Sequence, residues 1–363
     1  MANTIKTPYY IYSPNKIIGQ YQAFKKAFPF IEVKYALKSN PLPLVVDTLN
    51  GVGCGFEIAS KSELQQLLRQ DVPVQKIIYS NPIKSPEEIA FAYKKGVKAY
   101  SYDCLEELDK LAEYAPNSDV ILRLRVYERG SVFSLKDKFG AEDSKALVLA
   151  KRANELSLNF IGLSFHVGSQ SLKLKTWEYA LRKIEKVQER LQMQNISVRV
   201  VNIGGGFPIS YKNMKAPSLD QIAEVILSHK ALFIGRTVYA EPGRFIVAPS
   251  ADLVARVIGR TTRRGMNWLY LDAGTYNAAF EAMDFQGSVR YSIESMDSDS
   301  TKKIHYIIGG PTCDSIDTLT EDILLPDDIQ VGDRLLLRDI GAYSVSLANS
   351  FNGFSQPKIY IED

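Results

Sequence analysis

Between about residues 14 and 245 the sequence repeats one unit, a short β-like run followed by an amphipathic stretch of helical period. Eight such runs occur in order: "IEVKYAL", "GCGFEI", "KIIYS", "KAYSYD", "VILRLRV", "FIGLSFHV", "VRVVNIG" and "TVYAEP". Stretches such as "SKSELQQLLRQ", "SPEEIAFAYKKG" and "LKTWEYALRKIEKVQERLQMQ" lie between them. Their apolar residues recur at three and four, and their starts carry Ser or similar N-caps, so they are predicted helices. Strands and helices in alternation imply parallel strands joined by right-handed crossovers, and eight units are the number that closes a (β/α)8 barrel of the TIM type. An open doubly wound sheet is the alternative that shares the alternation.

After about residue 250 the pattern changes to β-rich runs with little helix: "ADLVARVIGR", "NWLYLDAG", "SVRYSIESM", "KIHYIIGG", "DRLLLRDIGAYSV" and "PKIYIED". They predict a second, all-β domain. The N-terminal "TPYYIYS" is also strand-like, precedes the first barrel helix and is expected to join that β domain. The expected division is therefore a barrel over 14–250 and a β domain made of 1–13 plus 251–363. The polar "ESMDSDSTKK" reads as a hairpin tip.

A chain of 363 residues with 45% hydrophobic and 23% charged residues is globular rather than disordered. Its 44 basic and 41 acidic residues are interspersed and leave a net charge of +3, without the basic stripe that a nucleic-acid partner requires. No apolar run reaches the roughly 20 residues of a membrane span, and "MANTIKTPYY" lacks a signal-peptide layout, so the expectation is a cytoplasmic chain with no membrane partner. Cys54, Cys104 and Cys313 are odd in number and widely spaced, which supports neither a disulfide framework nor a zinc site. None of the three histidines has metal-ligand spacing, and no metal is expected.

In a barrel of this kind the chemistry collects at the C-terminal strand ends. Lys38 follows the first run, Glu57 ends the second, Asn81 follows the third, His166 ends the sixth, "GGG" at 204–206 follows the seventh, and Glu241 with Arg244 ends the eighth. A lysine in such a place usually marks no more than the solvent edge. Three glycines after a strand are also what a tight turn needs. Yet barrel phosphate sites favour the loops after strands seven and eight, and "EPGR" adds Gly243 and Arg244 at the second of them. A strand-end histidine is more often packed than functional, but "SFHVGSQ" sets Ser169 beside His166 on the phosphate side. His229 and His305 have no such company.

A lysine, a glutamate, a histidine and a phosphate cradle at one barrel mouth are what pyridoxal 5′-phosphate requires. Lys38 would bind its aldehyde, Glu241 would hold a proton on the pyridine nitrogen, and His166 would lie flat against the ring.

The motifs "YALKSNP", "GFEIASKSEL", "IIYSNPIKS", "KFG", "SFHVGSQ", "NIGGGFP", "AEPGRF", "GPTCDSID" and "GAYSVSLANSFNGF" run nearly the full length of the chain. Together they resemble the fold type III (alanine racemase-like) pyridoxal-phosphate decarboxylases of ornithine, lysine, arginine and diaminopimelate, with the ornithine decarboxylase branch nearest. The resemblance implies Lys38 as the Schiff-base lysine, His166 as the stacking residue and Glu241 as the partner of the ring nitrogen, with Glu57 also near the cofactor. It further implies Ser169, Gly205, Gly206, Gly243, Arg244 and Tyr343 around the phosphate. Cys313 would protonate the substrate carbon and Asp314 would bind the distal amine, with Tyr276 beside the substrate. In the family Cys313 and Asp314 reach the partner subunit's site, so a homodimer with shared active sites is expected. The resemblance also implies a Phe351-Asn352-Gly353 turn near the subunit interface, where the tail without that context would read as an ordinary β hairpin.

Two places depart from the family pattern. Glu57 stands where eukaryotic ornithine decarboxylases carry Asp, and Ser134 falls where they place an arginine near the cofactor. "EAMDFQGSVRY" is offset by about one residue against the usual specificity turn, which leaves Glu281 and Asp284 both open as the second acid for the distal amine. The activity expected is decarboxylation of a basic L-amino acid, first L-ornithine to putrescine and carbon dioxide, with lysine (or both substrates) as the alternative. The "CDS" of Cys313-Asp314-Ser315 argues against diaminopimelate. A catalytically inactive regulatory homologue is the rival from another class, opposed by the presence of Lys38, His166, Glu241, Arg244, Cys313 and Tyr343. "GPTCD" argues against a racemase.

Overall fold

The structure is a computed structural model that describes residues 5–126, 130–133, 138–283 and 289–362. Ser134 and Asp284 lie outside the described residues.

Eight parallel strands close into a barrel: Ile31–Ala36, Gly55–Ile58, Ile77–Tyr79, Ala99–Tyr102, Asp119–Arg123, Asn159–Ser164, Val200–Asn202 and Thr237–Ala240. Each pairs with the next in chain order, and the eighth returns to the first through Val238 opposite Ile31 and Ala240 opposite Val33. The eight expected runs each supply one strand, and the open-sheet alternative is excluded by that last pairing. The strands read as nearly continuous apolar runs because both their faces are buried. Ile121, Ile161 and Val200 pack inside the barrel with Tyr239 against them, so the interior is a filled core and not a pore.

Three of the intervening helices start at side-chain caps. Ser60 Oγ accepts the Glu63 N–H at 3.3 Å. Ser85 and Glu88, and likewise Ser218 and Gln221, form reciprocal capping boxes that satisfy otherwise orphaned amides. Pro43–Gly51, Leu105–Tyr114 and Ala146–Glu155 have no side-chain cap, and neither has Leu174–Gln192, where Lys173 stands at the start. Its buried stripe of Trp177, Ala180, Leu181, Ile184, Val187 and Leu191 carries it instead.

Two compact units divide the chain, one of residues 21–208 and 217–243 and the other of 1–20, 209–216 and 244–363. The first holds the barrel. The second is built on an eight-stranded sheet in which Ala251–Arg263 is central, pairing with Met266–Leu271, with Arg334–Leu337 and with the N-terminal strand Tyr9–Tyr12. Tyr9–Tyr12 pairs in turn with Lys358–Ile361, so both ends of the chain meet in one sheet.

Two local expectations differ from the structure. Thr318–Pro326 is a nine-residue strand that the sequence reading passed over. The segment "ESMDSDSTKK" is not a hairpin tip, because Ile293–Ser295 before it pairs with Arg334–Leu337 while Lys303–Gly309 after it pairs with Met266–Leu271 and Thr318–Pro326. The tail forms the turn that the resemblance implies, a 3-10 segment Phe351–Gly353 with Asn352 in the left-handed region at φ 53°.

Candidate active site

In the barrel unit, Lys38 occupies a one-turn 3-10 segment, Leu37–Ser39, directly after the first strand. Its Nζ donates to Glu57 Oε2 at 3.2 Å, with the lysine half exposed and the glutamate enclosed. Burial is the main influence on Glu57 and pushes its pKa up to about 7, against the opposing pull of the Lys38 charge.

Glu241 follows the eighth strand and is held at one oxygen. Ser80 Oγ donates to its Oε1 at 2.6 Å and Asn202 Nδ2 donates to the same atom at 2.7 Å. Among the described residues no donor reaches Oε2, which leaves one oxygen of a fixed carboxylate for a cationic N–H. Asn202 Oδ1 also accepts the Gly204 N–H at 2.9 Å, and Gly204 O accepts the Glu241 N–H at 2.7 Å. One asparagine thus joins the glycine loop to the carboxylate.

That loop needs its glycines. A Cβ on Gly205 would lie 2.7 Å from Glu241 O and 2.9 Å from His166 Nε2, and Gly206 adopts φ 97°. Among the described residues neither the Gly205 nor the Gly206 amide donates a hydrogen bond, so two N–H groups remain for an anion. Gly206 O accepts from Ser171 N at 3.0 Å, which ties the short strand Ser169–Ser171 and hence Ser169 to this loop. Gly243 packs against the side chain of Ser39, next to Lys38.

His166 lies two residues beyond the sixth strand and accepts the Gly168 N–H on Nδ1 at 2.9 Å. Burial, and then the charges of Arg123 and Lys38, hold its pKa well below the usual value. The ring stays neutral and suits stacking rather than charge pairing. Asn81, by contrast, donates to Ala59 O at 3.3 Å and serves the loop.

In the second unit Arg244 is buried and forms a two-armed ion pair with Glu281, Nη1 to Oε2 at 2.5 Å and Nη2 to Oε1 at 2.6 Å. Tyr211 Oη accepts a further bond from Nη1 at 3.1 Å, and the ring of Tyr343 lies 4.9 Å from the guanidinium. Tyr343 itself has φ 54°, a backbone that a tyrosine seldom adopts and that marks a constrained site.

The same unit gathers Cys313, Asp314 and Tyr276. Tyr276 Oη donates to Asp314 Oδ2 at 2.6 Å, and Asp314 Oδ1 accepts the Ile316 N–H at 3.1 Å. These bonds hold the Asp314 pKa below its ordinary value, the tyrosine being the larger cause. Cys313 is exposed, and its N–H and Sγ both point to Asn352 Oδ1, at 3.2 and 3.3 Å. Phe351 packs on Tyr276 with ring centroids 4.6 Å apart.

The barrel end therefore brings together Lys38, Glu57, His166, Ser169, Gly205, Gly206, Glu241 and Gly243. The sequence reading missed Ser80, Asn202 and Tyr211. Polar residues closing apolar runs, as in "IIYS" and "VVN", were the available signal for the first two. A primary amine, a carboxylate with one oxygen open, a neutral imidazole and a glycine loop with unspent amides fit pyridoxal 5′-phosphate in both charge and shape.

Comparison with known proteins agrees. Residues 14–248 match the family described as pyridoxal-dependent decarboxylase, pyridoxal binding domain. The lysine/ornithine decarboxylase of Selenomonas ruminantium is 33% identical, over all of this chain and 92% of that protein. The ornithine decarboxylase of Caenorhabditis elegans is 34% identical over 94% of this chain and 84% of its own length. Among solved structures, lysine/ornithine decarboxylase from Vibrio vulnificus complexed with cadaverine matches with a TM-score of 0.91 at 33% identity, covering 99% of this chain and 96% of that one. With the matched domain spanning the whole barrel and the relatives aligned over nearly every residue, the chain belongs to the fold type III pyridoxal 5′-phosphate-dependent decarboxylases, as an enzyme that acts on a basic amino acid.

Proposed function

We propose that the enzyme converts L-ornithine to putrescine and carbon dioxide. The observation that carries this reading is the Cys313–Asp314 pair, a thiol beside a carboxylate that Tyr276 and the Ile316 amide keep anionic. Such a carboxylate attracts the distal ammonium of a diamino acid and repels the distal carboxylate of diaminopimelate. Two relatives support the choice by name, as an ornithine decarboxylase and a lysine/ornithine decarboxylase. Lysine is the second reading. The Vibrio vulnificus structure is complexed with cadaverine, and one methylene is worth only about 1–3 kcal/mol of discrimination.

When bound, pyridoxal 5′-phosphate supplies the electron sink for the bond that breaks. Lys38 Nζ is the amine that attaches it. The Glu241 carboxylate, oriented by Ser80 and Asn202, would hold the proton on the ring nitrogen, and neutral His166 would serve as the stacking residue. Ser169, the amides of Gly205 and Gly206, Gly243, Arg244 and Tyr343 receive the phosphate. Cys313 Sγ gives a proton to the former α-carbon, and Asp314, with Tyr276 beside it, orients the distal amine.

In this reading residues 14–250 form the cofactor domain, and 1–13 with 251–363 a β domain. Cys313 and Asp314 serve the site of the partner subunit in a homodimer. The exposed apolar side chains of Ile316 and Phe351, flanking Cys313 and Asn352 in sequence, support a surface that a second copy covers. A cytoplasmic setting fits three cysteines that are all unpaired. Among the described residues no helix is long and apolar enough to cross a membrane.

Parallel incubation with ornithine, lysine, arginine and diaminopimelate, with the amine products identified, tests the reading. Putrescine should form with the highest kcat/KM. Faster formation of cadaverine or agmatine would replace ornithine as the substrate.

A further inference from the structure

Among the described ion pairs of the second unit, Arg244–Glu281 is the most enclosed, with 3% and 6% of the two side chains exposed. Glu281 is supplied by the one-turn segment Phe280–Ala282, 37 residues beyond its partner. Both of its oxygens are engaged, one on each terminal nitrogen of Arg244. A two-armed pair of this kind fixes the plane of the guanidinium and its rotation about the side-chain axis, which a single contact does not. Tyr211 and Tyr343 add a hydroxyl and a ring face to the same guanidinium.

This arrangement bears on two roles at once. A carboxylate that turned away toward a substrate ammonium would leave a buried guanidinium without its counter-ion, a strongly destabilising exchange. Arginine otherwise loses considerable rotamer freedom when it binds an anion. A partner that orders the side chain on folding removes that cost from the binding step.

We propose that Glu281 is a positioning residue for the cofactor. It holds Arg244 in the orientation in which the guanidinium meets the phosphate, and it takes no part in binding the distal amine of the substrate. The inference rests on the reading of Arg244 as a phosphate ligand.

The test starts from holoenzyme. Cofactor is exchanged out, pyridoxal 5′-phosphate or phosphate-free pyridoxal is titrated back, and binding is read from visible absorbance. Glu281→Gln should raise the dissociation constant for pyridoxal 5′-phosphate about tenfold. It should leave that for pyridoxal unchanged, along with the KM for the amino acid at saturating cofactor. Glu281→Asp keeps the buried charge but breaks the two-armed fit, so it should give the same pattern and covers the case in which the neutral variant fails to fold. Equal weakening of both ligands, unchanged affinity for the phosphate form, or a raised KM with cofactor binding intact would each overturn the inference. Arg244→Lys separates it from its premise. If that variant binds pyridoxal 5′-phosphate normally, the phosphate reading of Arg244 fails, whereas weak binding there with normal binding in both Glu281 variants removes the positioning role alone.

Discussion

Lys38 Nζ stands 3.2 Å from Glu57 Oε2, a half-exposed amine against a carboxylate with only 3% of its side chain exposed. Burial nevertheless dominates Glu57 and raises its pKa from 4.5 to about 7, with Glu241 pushing the same way and Lys38 opposing. The folded state therefore keeps a proton that the unfolded chain has already released at intermediate pH. Stability from this group is complete below the unfolded value and is lost as pH rises toward 7, a change on the order of 3 kcal/mol. In cofactor-free protein the denaturation midpoint should fall across that window, and Glu57→Gln should flatten the fall. A midpoint that rises over the same range in the parent protein only, and not in Glu57→Gln, would mean that the lysine charge wins.

Lys38→Ala should abolish both the visible absorbance that the purified protein shows with pyridoxal 5′-phosphate and the adduct trapped by borohydride. A trapped adduct on any other lysine of the variant would move the attachment point.

Glu241→Gln should keep the cofactor bound, because Ser80 and Asn202 still have an acceptor at that position. Turnover should drop by about a hundredfold or more, since a neutral amide holds the ring-nitrogen proton poorly. Unchanged kcat in a variant of normal cofactor content would remove the electron-sink assignment.

The barrel was legible because each of its strands, buried on both faces, is an apolar run bounded by turn residues, and because the helices between them announce their caps at Ser60, Ser85 and Ser218. The strand Thr318–Pro326 was not, since the adjacent exposed Glu321 and Asp322 interrupt its apolar run. The pairing of Ile293–Ser295 was also hidden, because a polar turn suggests a local hairpin while the sheet gives that strand a partner some 40 residues later, Glu294 opposite Leu336. Glu281 could be recognised as an acid near the site, but its engagement with Arg244 depends on a contact across 37 residues that no local pattern encodes. Ser80 and Asn202 were missed for the same reason, their shared acceptor being up to 161 positions away.

Gly205→Ala tests the glycine loop. Its Cβ would meet a backbone carbonyl, Glu241 O, at 2.7 Å, and neither group can yield without moving a strand end. Unfolding by denaturant should show a loss of about 1–3 kcal/mol, the range for overpacking. Binding of pyridoxal 5′-phosphate should weaken as well. A variant with normal stability and normal cofactor affinity would show that the loop is looser than its geometry.

The last prediction concerns Cys313, which is exposed and belongs to the second unit, whereas Lys38 belongs to the barrel. If Cys313 serves the partner subunit's site, each active site of a dimer draws Lys38 from one copy and Cys313 from the other. Lys38→Ala and Cys313→Ala proteins, each inactive alone, should then regain about a quarter of full activity after equal mixing and subunit exchange. Random pairing makes half of the dimers hybrids, and each hybrid carries one site with both residues intact and one with neither. If both residues came from the same copy, every site in a hybrid would lack one of them, and mixing would restore nothing. Exchange is checked independently, by a tag on one variant that co-purifies the other. Hybrids recovered in this way without activity would sink the shared site and leave Cys313 acting within its own chain.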